Sequence, residues 1–181
     1  MCGRYTLRVT GDELADRFDA TLRVEFEPTY NAAPGQELPV VRGNASENSK
    51  TVESLRWGLV PSWADDNDGH INARAETVAD KPSFADAYEK RRCLVPADGF
   101  YEWTDEGPWY VEFDGVAALG GIWEQWVPER REGGLDSVGG ADGGRKEELG
   151  PRELDVDVRR VSDRVNSPEN DDASLVEEIP H

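Results

Sequence analysis

The sequence predicts an α+β fold: one domain on a curved, mostly antiparallel β-sheet or open pseudo-barrel, with a few short helices against it. Three observations carry that expectation. Only two stretches show helical periodicity, and both are short. Runs rich in β-branched and aromatic residues read as strands over 37–43, 51–60, 92–104, 109–114 and 116–123. Turn residues, Gly107-Pro108 and Asp114-Gly115, stand between apolar runs as in antiparallel connections.

The elements follow in order. Thr10 and Glu13 make a capping box ahead of Leu14, Ala15 and Phe18, predicting a helix over 11–19. "NAAPGQ" at Asn31–Gln36 is a loop turning at Pro34-Gly35. "LRWGLVPSWA" over 55–64 is a strand ending in a proline loop that carries Trp63. In "INARAET" over 71–77, Asn72, Arg74 and Glu76 recur at period two, so an extended backbone puts them on one face. Ser83 is a cap for a second helix through Arg91, with Phe84, Ala87 and Tyr88 on one face. "CLVPADGFYEW" over 93–103 is an apolar strand broken at Asp98-Gly99, and it carries Glu102 between Tyr101 and Trp103. A carboxylate between aromatic rings is suited to a raised pKa and acid–base work.

Composition divides the chain. All six tryptophans lie between Trp57 and Trp126, and no aromatic residue follows. Residues 127–181 hold seven glycines and many charges, too little apolar surface to offset ordering entropy. The expectation is a packed body over 1–126 and an acidic, Gly-rich tail over 127–181, loop or partly disordered, with one short strand over 154–158.

The net charge is -18, with 16 arginines but only four lysines among the bases, which suggests adaptation to high salt. That charge repels nucleic acid, so DNA binding needs a local basic patch or strong screening. The two cysteines, Cys2 and Cys93, have no metal-ligand spacing, so neither a disulfide framework nor a metal site is expected, and no cofactor. Arg8, Asp12 and Glu13 break the first apolar residues, which excludes a signal peptide, and no apolar run approaches a membrane span. A cytoplasmic, reducing location with Cys2 as a free thiol is expected. The N-terminal "MCGRY" is the most suggestive motif: once Met1 is removed, Cys2 presents an α-amine and a thiol on one carbon frame.

"MCGRY", "YNAAPG", "WGLVPSWA", "INARAET" and "ADGFYEW", in that order, closely resemble the SRAP family, the SOS response-associated peptidase domains that process abasic sites. The resemblance covers residues 2–126. It implies a sensor of abasic sites in single-stranded DNA, active as a monomer in the DNA damage response, that crosslinks through its N-terminal cysteine. It also implies a lyase- or peptidase-type enzyme label. The α-amine, with a reference pKa near about 8, attacks the sugar aldehyde to form an imine, and the thiolate closes a thiazolidine. By resemblance Cys2 is the nucleophile, Glu102 moves protons, and Asn72 hydrogen-bonds the amine or the sugar. Arg4 and Arg74 hold phosphates, Trp63 either stacks on a base or packs in the core, and Asn31 shapes the DNA-facing loop. Arg56, Arg91 and Arg92 widen the basic surface.

One feature of the family is missing. Its members carry a histidine in a His-x-Arg-Met/Arg-Pro context, whereas this chain has only His70 and His181, neither in that context. The expected consequence is slowed ring opening and crosslink release, from a truncated or divergent C-terminal part. Two other readings stay open. A non-catalytic single-stranded DNA-binding relative would keep the groove without turnover. An N-terminal nucleophile hydrolase of the amidotransferase type would use the Cys2 thiol with its own amine as base.

Overall fold

The structure, a computed structural model, describes residues 3–44, 47–127, 135–142 and 156–180. In chain order its elements are β1 (Tyr5–Leu7), α1 (Gly11–Phe18), β2 (Thr21–Leu22), β3 (Thr29–Ala32), β4 (Glu37–Asn44), β5 (Ser49–Trp57), β6 (Asn72–Arg74), α2 (Ala85–Lys90), β7 (Arg92–Thr104), β8 (Gly107–Trp126), β9 (Leu135–Asp142) and β10 (Val156–Arg160). Two 3-10 turns follow, Asp163–Asn166 and Ala173–Val176. This is the expected α+β class: a mostly antiparallel sheet with short helices at its margins. β8, β9, β5, β4 and β7 pair in sequence, and β7 pairs back to β8, so these strands form a closed ring.

The two long strands leave the ring halfway along. The first part of β7 pairs with β4, the second with β1; the first part of β8 pairs with β10, the last with β9. The change of partner coincides with a register shift between Ala97 and Gly99, where residues 113–116 bulge opposite Asp98. Asp98-Gly99 and Asp114-Gly115, expected to break or reverse the chain, instead bend strands that continue. Gly115 takes a left-handed φ of 80°, which gives the bend. Gly99 lies against Tyr110, whose hydroxyl would stand 2.2 Å from any added Cβ.

α1 forms as expected. Thr10 Oγ1 accepts from the Glu13 amide, and the Glu13 carboxylate accepts the Thr10 N–H at 2.8 Å. α2 is shorter than expected because Phe84, not Ser83, is the cap residue and makes no side-chain cap bond. Its apolar face is as expected: Phe84 and Ala87 pack with Leu59, Ala73, Val78 and Ile122. The main core fills the ring with Leu7, Leu38, Val40, Val41, Val52, Leu55 and Trp57.

The reading of 127–181 as a loop-like tail needs correction where that segment is described. β9 enters the ring between β8 and β5, and Ser137 and Val138 are buried. The expected strand over 154–158 is β10, at Val156–Arg160. Val161, Val165, Leu175 and Val176 then form a separate core with Tyr101 and Tyr110. The tail brings small aliphatic side chains and the body supplies the rings; burying each aliphatic contributes about 1.5–3 kcal/mol. Among the described residues no helix is long and apolar enough to cross a membrane.

Candidate functional site around the N-terminal strand

β1 pairs antiparallel with β7 through Tyr5 opposite Phe100 and Thr6 opposite Gly99. The Tyr101 amide donates to the Arg4 carbonyl at 3.0 Å, so the pairing continues to Arg4, beside the residue that precedes Glu102. Cys2 lies outside the described residues. The Arg4 guanidinium is half-buried; its Nη1 donates to the Gly3 carbonyl at 3.0 Å, and burial lowers its pKa.

Glu102 is half-buried on β7, directly opposite Trp109 of β8. The expected aromatic wedge is wrong in its members. Strand alternation turns Tyr101 and Trp103 to the opposite face, where Tyr101 enters the C-terminal core and the Trp103 indole donates to Asn166 Oδ1 at 2.8 Å. Trp109 shares the face of Glu102, and its indole N–H donates to Thr104 Oγ1 at 3.1 Å. Nothing in the local sequence around Glu102 identifies this cross-strand neighbour.

Asn72 and Arg74 lie on β6, which pairs in parallel with β9. Ala73, between them, is fully buried against Leu59 and Phe84, so the pattern expected for "INARAET" is present over 72–74. It stops there: Glu76 is exposed in a turn closed by the Thr77 and Val78 amides on the Arg74 carbonyl. Trp57 ties this strand to β1. Its indole donates to the Ile71 carbonyl at 2.7 Å, and its ring lies 5.4 Å from that of Tyr5. Glu102 and Asn72 are thus both linked to the start of β1, one by strand pairing and one through Trp57.

Trp63 projects from the loop after β5 and is 67% exposed. Leu59 and His70 close that loop with reciprocal backbone bonds of 3.0 and 2.8 Å. The crossing is so tight that a Cβ on Gly69 would meet the Gly58 carbonyl oxygen at 2.3 Å. The Trp126 indole donates to the Ala64 carbonyl at 2.8 Å, so Trp63 is a projecting ring on an anchored loop.

Other assignments change. Asn31 is fully buried, so it cannot contact DNA. Its Nδ2 instead lies 3.3, 3.0 and 2.8 Å from the carbonyls of Val165, Ser167 and Asn170. It is also on β3 and not in a loop. Arg91 adds little to a basic surface because it pairs with Asp86 at 2.5 Å and Glu124 at 2.7 Å. Arg56 reaches back to the Asn67 carbonyl, while Arg74 and Arg92 are exposed. His70 is exposed with its ring edge-on to Phe84, and His181 lies outside the described residues. Among the described residues no cluster of His, Cys, Asp and Glu could hold a metal.

Among the described residues the structure thus ties the carboxylate of Glu102 and the amide of Asn72 to β1, and leaves Arg74 and the Trp63 indole exposed. Its sequence is equally distinctive: the model of the SOS response associated peptidase (SRAP) family matches residues 1–139. The chain belongs to the SRAP family. Abasic site processing protein YoaM of Bacillus subtilis is 32% identical over 228 aligned positions, covering all of both chains. That span exceeds the 181 residues here, so the relative carries residues with no counterpart in this chain. Abasic site processing protein HMCES of Rattus norvegicus is 38% identical over 108 residues, 49% of this chain and 31% of its own. A crystal structure of a protein from Bacteroides thetaiotaomicron superposes with a TM-score of 0.81 at 18% identity, over 99% of this chain and all of that one. The fold shared with that protein therefore extends into the C-terminal region, beyond the match to the family model.

Proposed function

We propose that this SRAP protein recognises abasic sites in single-stranded DNA and captures them covalently through Cys2. The supporting observation is the β1–β7 pairing, which continues through Arg4 and holds it beside Tyr101, next to Glu102. The names of its relatives, abasic site processing proteins, give the substrate.

After removal of Met1 the neutral α-amine of Cys2 attacks the aldehyde carbon of the opened sugar, forming a C–N bond. Glu102 transfers protons to the carbinolamine oxygen, which leaves as water, and an imine results. The Cys2 thiol then adds across the C=N bond. Sulfur bonds to carbon, the thiol proton ends on nitrogen, and a five-membered thiazolidine closes with no oxidant or reductant. Asn72 orients the amine or sugar hydroxyl, Arg4 and Arg74 hold flanking phosphates, and Trp63 stacks on a base, worth about 1–3 kcal/mol. Single-stranded substrate suits an exposed ring, which needs an unpaired base. The protein acts as a monomer in the reducing cytoplasm.

The test is incubation of the mature protein with an abasic single-stranded oligonucleotide, at about 0.1 M and about 1 M salt, read on a denaturing gel. The expected result is a covalent band that Cys2→Ala abolishes. Glu102→Gln slows its formation by about 100-fold or more while strand affinity stays within about twofold. The lack of the family histidine makes the band persistent, with slow release. Equal affinity for intact and abasic strands with no band would instead establish a non-catalytic binding relative.

A further inference from the structure

A buried polar network lies where β1 meets the bend of β7 and β8. At its centre is Asp98, only 4% exposed. Asp98 Oδ1 accepts the Thr6 hydroxyl at 2.5 Å and Arg8 Nε at 3.1 Å; Oδ2 accepts the Arg8 backbone N–H at 2.5 Å. Thr6 is itself fully buried, and its spent hydroxyl proton leaves Oγ1 to accept from Tyr110 at 2.8 Å. The network continues outward. Arg8 Nη2 donates to Glu112 Oε1 at 2.5 Å, and Arg159 Nη2 donates to Glu112 Oε2 at 2.7 Å. Arg159 also donates through Nε to the Val176 carbonyl at 2.6 Å. Both guanidinium groups lie by the Tyr110 ring, 5.8 and 5.0 Å from its centre.

These contacts join three separated parts of the chain: β1, the bend in β7 and β8, and the C-terminal segment. β1 has just three residues, and two ladder pairs hold it to β7. β3 pairs its other edge through Tyr5 opposite Ala32 and Leu7 opposite Thr29, so the ladders on the two sides of β1 total only four residue pairs. Glu102 lies four residues beyond Asp98 on the same strand.

We propose that Thr6, Asp98, Arg8, Glu112 and Arg159 form a positioning device that fixes the N-terminal strand against the strand bearing Glu102, and so sets where the first residues of the chain lie. Asp98 and Thr6 are positioning residues; neither touches DNA. The C-terminal segment thereby takes part in the reaction at the opposite end of the chain. This rests on the reading of Cys2 as the nucleophile, because only then does the placement of β1 govern a rate.

Thr6→Val keeps the side chain's shape and removes the hydroxyl, Thr6→Ser restores it, and Glu112→Gln breaks the outer link at a half-exposed site. Each variant is followed by amide hydrogen exchange of residues 3–7 and by the single-turnover adduct rate at saturating abasic strand. Thr6→Val is expected to speed exchange and slow the adduct by about tenfold, with strand affinity within about twofold. Thr6→Ser returns both readings to near wild type. Glu112→Gln speeds the same exchange to a lesser degree. Unchanged exchange in Thr6→Val overturns the proposal, as does a Thr6→Ser protein no better than Thr6→Val. Unchanged exchange in Glu112→Gln overturns the part assigned to the C-terminal segment. A wild-type protein that gives no adduct overturns the proposed function instead, and the exchange results still decide whether the network holds β1.

Discussion

Trp109 stands directly across the strand pair from Glu102, and its indole is held over that face by a 3.1 Å bond to Thr104. Under the proposed function, a half-buried ring beside the acid would give an unpaired base or the opened sugar a wall to pack on. Trp109→Ala is therefore expected to weaken binding of abasic single-stranded DNA by about fivefold or more, measured by fluorescence anisotropy of a labelled strand. Trp103→Ala, on the opposite face against Asn166, should change that affinity by less than about twofold.

Asn31 ties β3 to the C-terminal segment through carbonyls at 165, 167 and 170, and Asp171 returns the tie to the Tyr30 amide at 2.5 Å and Thr29 Oγ1 at 3.0 Å. Asn31→Ala leaves inward-facing carbonyls without their donor, at a cost of about 1–3 kcal/mol. The expected outcome is a melting temperature lower by about 3–10 °C and early proteolytic cleavage within 160–180. Strand affinity at low temperature stays unchanged, because the residue is fully buried.

Acid should loosen the C-terminal segment. Burial pushes the Glu112 carboxyl up, but hydrogen bonds from Arg8 and Arg159 outweigh it and hold the pKa below its ordinary 4.5. Hydrogen bonds from Arg164 and Ser174 take Asp172 down to about 2. A carboxyl whose pKa is lower folded than unfolded stabilises the protein above the unfolded value and loses that contribution as pH falls toward the folded one. Melting temperature should therefore fall steadily from about pH 4.5 to pH 2, and Glu112→Gln should flatten that fall. A Glu112→Gln protein with the wild-type slope would contradict the assignment.

Cys93 is buried in the ring core, and burial raises its thiol pKa to about 12 despite the Arg42 guanidinium nearby. The thiolate is the reactive form, so Cys93 should resist alkylation in the folded protein and react only on unfolding. Treatment of native protein with iodoacetamide should block adduct formation while mass spectrometry finds Cys93 unmodified. Loss of the adduct with Cys93 labelled would break the link to Cys2.

Local sequence served well where one segment carries the whole signal. The Thr10–Glu13 box caps α1, and "INARAET" gives an alternating strand as far as Arg74. It served poorly where two distant segments share a structure. Asp114-Gly115 has turn chemistry, yet β8 runs through it because β7, β9 and β10 supply partners on both sides. Asn31 lies in a motif that suggests a DNA-facing loop, but its partners are carbonyls more than 130 residues away. The tail is poor in large apolar groups, and its four valines and leucines find a core only because Tyr101 and Tyr110 bring the rings.

By itself the sequence determined the class of the fold, the family, and the order of motifs around Cys2, since each rests on short-range pattern and residue chemistry. The tertiary structure alone decided which aromatic shares a face with Glu102, that Asn31 is a buried tie, and that Asp98, Arg8 and Glu112 together link the N-terminal strand to Arg159 of the C-terminal segment. The reason is physical: strand alternation and long-range pairing choose a residue's neighbours, and those neighbours come from parts of the chain whose sequences carry no mark of one another.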